Sequence, residues 1–71
     1  MMNLPEVNPL EHFFNAFNIP ELKNLVLVPQ EAYWFMLWRE QQFIANDWEK
    51  TDENIKKANQ EAINRLKEYK R

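Results

Sequence analysis

The stretch AYWFMLW, residues 32–38, decides the fold, because all seven of its side chains are apolar. Successive residues of an α-helix are about 100° apart around its axis, so a run of seven covers the whole circumference. A helix that is apolar on every side is normally buried on every side. Pro29 suits a first helical turn, and we therefore predict a helix from about residue 29 to residue 48.

One arc of this helix is favoured as the side that faces the core. Its members line up at helical spacing and are Tyr33, Leu37, Ile44 and Trp48, with Trp34, Trp38 and Ala45 beside them. Phe35, Met36 and Phe43 lie on other sides of the helix. Two further helices shelter about two sides of a third, so we predict that some of these last three side chains face water.

Exposed apolar surface usually marks an interaction site, and aromatic, Met and Arg side chains are enriched at interfaces. We predict a partner-binding face with Trp38 at its edge and Arg39 donating a charged hydrogen bond at its rim. The predicted face consists of Phe35, Met36, Trp38, Arg39 and Phe43. The alternative is that the whole run is core, because a small protein needs large side chains to fill its interior.

The rest of the chain predicts two more helices and a connector. Asn8 and Pro9 favour a helix start, and the apolar spacing then predicts a first helix over residues 9–17. Thr51 or Asp52 caps a third helix over residues 52–69. Residues 20–25 could add one helical turn, and residues 25–28 are predicted to be extended, because the residue before Pro29 avoids the α region. As a strand, this connector would pair with a second copy or with a partner.

We therefore predict an all-α fold: a single small three-helix domain over residues 1–71, with an extended connector between helices one and two. Residues 1–8 are predicted to be an irregular lead-in. The third helix is expected to pack antiparallel to the second through an apolar stripe with three- and four-residue spacing. The stripe consists of Ile55, Ala58, Ala62, Leu66 and Tyr69.

The composition offers few residue types that could serve in catalysis or metal binding. The chain has no Cys, Ser or Gly, and His12 and Thr51 are the only residues of their types. Disulfides, thiolate metal sites and the usual nucleophile–base pairs are therefore excluded. The acids at 47, 49, 52 and 53 lack the spacing and glycine of an EF-hand loop. We expect a non-enzymatic protein with no catalytic residues, no metal, no cofactor and no small-molecule substrate.

Charge is divided along the chain. Residues 1–49 carry two bases and seven acids, for a net −5, whereas residues 50–71 carry seven bases and four acids, for a net +3. The alternative function is therefore a nucleic-acid-associated protein that uses the basic third helix, through Lys56, Lys57, Lys67, Lys70 and Arg71. Acids alternate with these bases, and an excess of three is small for a nucleic-acid footprint, so nucleic acid is disfavoured.

The function that the sequence favours is a protein–protein interaction module. It binds either itself, as a homo-oligomer, or a larger protein, as an inhibitor or adaptor. Residues 1–9 show no positive charge and no long apolar stretch, and no run is long enough for a membrane span, so we expect a cytoplasmic protein with no membrane partner. The glycine-free, Asn-rich and aromatic-rich composition suggests a small accessory protein of a phage or another mobile element.

Overall fold

The computed structural model describes residues 9–71, and within them the protein is all-α, as predicted. Four helices follow one another: α1 (Pro9–Phe17), α2 (Leu22–Leu25), α3 (Pro29–Asn46) and α4 (Asp52–Tyr69). The bounds of α1 and α4 agree with the sequence prediction, and α3 ends two residues earlier than predicted. The predicted lead-in, the Asn8 cap and most of the segment judged for targeting lie outside the described residues.

A left-handed residue, Asn18, ends α1. Asn18 has φ 49°, a conformation that Asn tolerates better than most residues, and its backbone N–H donates to the Phe14 carbonyl at 2.7 Å. Pro20 cannot continue the first helix. The chain instead forms the single turn of α2, after which Val26 is extended, with φ −104° and ψ 103°. No strand forms in the described part of the chain.

A buried carboxylate organises the start of α3. Glu31 Oε1 accepts hydrogen bonds from the backbone N–H groups of Leu27, at 2.8 Å, and Val28, at 3.3 Å. Its other oxygen, Oε2, lies 2.6 Å from Lys70 Nζ at the end of α4. A glutamate at the third helical position is the residue that satisfies free N–H groups at a helix start. One side chain thus joins the connector, α3 and α4.

The two long helices pack antiparallel, as predicted. Asp47, with φ 52°, ends α3 in the left-handed conformation, and the Thr51 hydroxyl accepts from the Asn54 N–H to cap α4. Contacts between the helices then pair early residues of one with late residues of the other. Trp34 stacks edge-on against Tyr69 at 4.6 Å between ring centroids.

The core lies between α3 and the inward sides of α1 and α4, and α2 packs on α4. Phe35 is fully buried, and its ring packs edge-on against Phe13 and Phe17 of α1. Ala58 and Ala62 are also fully buried on α4, where their small side chains allow α3 to approach closely. The buried cluster consists of Leu10, Phe13, Leu22, Val26, Ala32, Phe35, Ala62, Ile63 and Leu66.

The core arc predicted for α3 is wrong. Tyr33, Leu37 and Ile44 are exposed, and Trp48 is half-buried beyond the end of the helix. The helix is turned so that Phe35 and Phe43, together with the polar Arg39, face inward. This orientation is possible because α4 provides a hydrogen-bond acceptor for Arg39 in the Asn59 side chain.

Candidate functional site

Several exposed apolar side chains lie on one side of α3, which we call the outer face and define as Tyr33, Met36, Leu37 and Ile44. These side chains are 62%, 50%, 40% and 74% exposed, respectively. Tyr33, Leu37 and Ile44 fall within about 40° of one another around the helix, and Met36 lies about 60° to one side. Scattered exposed apolar residues are ordinary, but several of them on one side of a helix mark an interaction site.

Apolar surface continues beyond the outer face at the beginning of α3. Leu27 and Val28, in the connector immediately before the helix, are 64% and 48% exposed. Along one edge, Trp34 and Trp38 are half-buried, and Trp34 contacts the exposed ring of Tyr69. The outer face is therefore the centre of a larger apolar and aromatic surface.

The sequence-predicted binding residues are divided by the structure. Met36 is half exposed, as expected, and belongs to the outer face. Phe35 and Phe43 are only 0% and 5% exposed, so the exposure predicted for them is wrong, and neither is presented to a partner. The Phe35 ring packs edge-on against Phe13 and Phe17 of α1, and the Phe43 ring lies edge-on to Trp48 at 6.5 Å between centroids. Trp38 and Arg39 are intermediate in burial.

Arg39 does not lie at the rim of the outer face, because its side chain contacts residues of α1 and α4 instead. Its Nε donates to Asn59 Oδ1 of α4 at 2.7 Å. Its guanidinium lies over the rings of Phe17 and Phe43, 5.4 and 5.3 Å from their centroids. A guanidinium over an aromatic ring is attracted to the negative π face. Arg39 therefore links α3 to α1 and α4.

Sequence reasoning missed Tyr33, Leu37 and Ile44 as surface residues because it placed the most apolar arc of α3 inside. A signal was available in α4: Asn59 lies beside the small residues Ala58 and Ala62, in the face predicted to contact α3. A polar side chain at such a position suggests a polar partner across the interface. In the structure, that partner of Asn59 is Arg39.

The bases of α4 are largely paired. Lys67 and Lys70 reach across to Glu21 and Glu31 at 2.6 Å each. Lys57 pairs with Glu53 at 3.6 Å, and Arg71 lies 3.8 Å from Glu68. The hydrogen bond from Lys70 is the main cause that lowers the pKa of Glu31, against a smaller opposing effect of burial. Four of the five bases named for nucleic-acid binding thus have acidic neighbours.

Other features offer little to a small ligand. A cleft of about 100 Å³ lies between the end of α1 and α2, next to Asn18 and Lys23. Sites for drug-sized ligands are typically about 300–1,000 Å³. Within residues 9–71, no three acidic or histidine side chains come together as a group that could hold a metal ion. In the same part of the chain, no helix combines the length and apolar character needed to cross a bilayer.

Comparisons of this chain with protein-family models, with curated proteins and with solved structures found no match. The geometry of the outer face is therefore the main guide to function.

Proposed function

We propose that this protein is a non-enzymatic interaction module that binds another protein surface through the outer face of α3. The observation that supports the proposal is the stripe of Tyr33, Leu37 and Ile44, which the other elements of the described chain leave 62%, 40% and 74% exposed. The site differs from the face that the sequence predicts, but the physical reason is the same: α3 carries more apolar side chains than its neighbours shelter.

Burial of this stripe supplies the driving force. Removal of apolar surface from water contributes about 25 cal/mol per Å², and aromatic side chains contribute large buried areas. Tyr33 adds a hydroxyl that can hydrogen bond at the periphery. A partner with an apolar groove or an apolar helix face fits this surface best. Inhibition of a larger protein and assembly with it are both compatible with such contacts.

The nucleic-acid alternative has less support. Binding to a phosphate backbone depends on bases that release counterions, and Lys57, Lys67, Lys70 and Arg71 are already near carboxylates. A nucleic acid would have to compete with these ion pairs. The cytoplasmic location and the phage origin suggested by the sequence stay predictions.

A photo-cross-linking amino acid at Ile44 tests the proposal in the cells that produce the protein. Ile44 is the most exposed member of the outer face, so the substitution leaves the core intact. The matched control carries the same amino acid at Lys56, an exposed position of α4. We expect a discrete covalent adduct with a protein at position 44 and none at position 56. Equal adduct patterns at both positions, or none at either, would contradict the proposal.

A further inference from the structure

We propose that the occupant of the outer face is a second copy of this chain, packed with its α3 antiparallel to the first about a two-fold axis. This inference rests on the proposed function, because it names the partner of the same surface. Closed two-fold dimers are the commonest oligomers of soluble proteins, and each copy in them uses the same patch. The patch must therefore be complementary to itself.

Three members of the outer face, together with Glu40, have a spacing that reads the same in both directions along the helix. Tyr33, Leu37, Glu40 and Ile44 follow at intervals of four, three and four residues, which is the alternation of a coiled-coil seam. The order of intervals is the same when the helix is read in reverse. In an antiparallel pair, Tyr33 therefore packs against the partner's Ile44, and Leu37 against the partner's Glu40. The apolar residues lie at both ends of the seam and meet each other.

The charges along the seam are compatible with pairing. Glu40 is the acid closest to the centre, and its Oε2 lies 3.3 Å from Lys50 Nζ of the same chain. The negative charge of Glu40 is therefore balanced by Lys50 when Glu40 enters the interface. At the ends of the seam, Gln30 meets the partner's Asp47, where an amide N–H can donate to a carboxylate. The two copies of Glu40 are offset by about 4.5 Å along the axis, and each is paired with Lys50 of its own chain.

The size of the contact predicts a reversible dimer. A helix of 18 residues is about 27 Å long, and one pair of such helices falls among interfaces that bury less than about 1,200 Å² in total, which are often transient. A dimer of this kind forms at high protein concentration and dissociates on dilution.

Engineered cysteines test both the dimer and its direction, since the natural chain contains no Cys. Two purified single variants, Tyr33→Cys and Ile44→Cys, are oxidised separately and as an equimolar mixture, with a size tag on one of them. Both side chains are exposed, so neither variant disturbs the core. In two antiparallel chains, the two copies of position 44 are about 16 Å apart along the axis, beyond the reach of a disulfide. Gln60→Cys, at an exposed position of α4, is the matched control.

We expect the mixture to form a mixed disulfide that joins position 33 of one variant to position 44 of the other. Its yield should be several-fold above that of either variant alone and above that of the Gln60→Cys control. Efficient cross-linking of each variant with itself would show a parallel pair and overturn the antiparallel assignment.

Sedimentation equilibrium of the natural chain gives the second readout, with a mass that approaches twice 8.7 kDa as concentration rises. A monomer at every concentration, with cross-links to a foreign protein from position 44 in cells, would overturn this inference and leave the proposed function intact. A monomer with no position-specific adduct would overturn both.

Discussion

Glu31 shows how much of this fold depends on single polar residues. Its carboxylate is buried, accepts two backbone N–H groups and contacts Lys70. Hydrogen bonds to a charged group contribute about 1.5–3 kcal/mol each when measured by mutation. The side chain holds the connector against α3 and ties the end of α4 to the start of α3. Its removal should loosen three elements at once.

We therefore expect Glu31→Gln to lower the free energy of unfolding by about 1.5–3 kcal/mol at neutral pH. Because the pKa of Glu31 is lowered in the folded protein, the native state binds fewer protons than the unfolded state near that pKa. The stabilisation is complete above the unfolded value of 4.5 and is lost as pH falls through the lower folded pKa. Urea denaturation of both proteins at pH 7 and pH 3 should show a difference that shrinks in acid. A difference that stays constant with pH would contradict the role assigned to the carboxylate.

Single substitutions on the two sides of α3 should differ strongly in how much they lower the free energy of unfolding. Phe35 is fully buried among Phe13 and Phe17, so Phe35→Ala should cost about 3–5 kcal/mol of unfolding free energy. Leu37 and Ile44 are exposed, so Ile44→Asp should change the stability of the monomer by no more than about 0.5 kcal/mol. Chemical denaturation at low protein concentration measures both. A large loss for Ile44→Asp under those conditions would place its side chain in the core.

At the scale of the elements, the contact between α3 and α4 is a polar link within an apolar seam. Arg39 and Asn59 are joined at 2.7 Å among the buried Ala58, Ala62 and Phe43. We expect a double-mutant cycle with Arg39→Met and Asn59→Ala to give a coupling energy of about 0.5–3 kcal/mol. Arg39→Lys should not rescue the loss, because an ammonium lacks the planar donor geometry of the guanidinium. A coupling near zero would show that the hydrogen bond does not stabilise the seam.

The helices could be predicted from the sequence, whereas the rotation of α3 could not. Pro29, Asn18 and Thr51 act locally, through dihedral preferences and caps, so their effects are visible without knowledge of the fold. The inward side of α3 depends on which side chains complement α1 and α4 in space. Arg39 is acceptable inside only because Asn59, Phe17 and Phe43 surround it, and no periodic pattern in α3 carries that information. The predicted exposure was therefore correct for Met36 and wrong for Phe35 and Phe43, and the binding role of the face stays a prediction.

At the scale of the whole molecule, the exposed stripe affects both the stability of the monomer and its capacity to bind a partner. A 71-residue chain buries a modest fraction of its surface and has little stability to spare. Apolar side chains placed outside contribute nothing to the monomer's core and lower its solubility. The same side chains stabilise the folded state when a partner covers them, since any ligand of the native state shifts the unfolding equilibrium.

Thermal unfolding should therefore depend on protein concentration. For a reversible dimer, dilution removes the stabilisation that comes from association, so the Tm of the natural chain should fall as concentration falls. Ile44→Asp, at an end of the seam, should give a Tm that is independent of concentration and close to that of the diluted natural chain, because this side chain is 74% exposed and the substitution abolishes pairing without entering the core. Lys56→Asp, on the exposed side of α4, should retain the concentration dependence. Differential scanning calorimetry over a wide concentration range makes the comparison, and a flat Tm for the natural chain would mean that two copies do not stabilise each other.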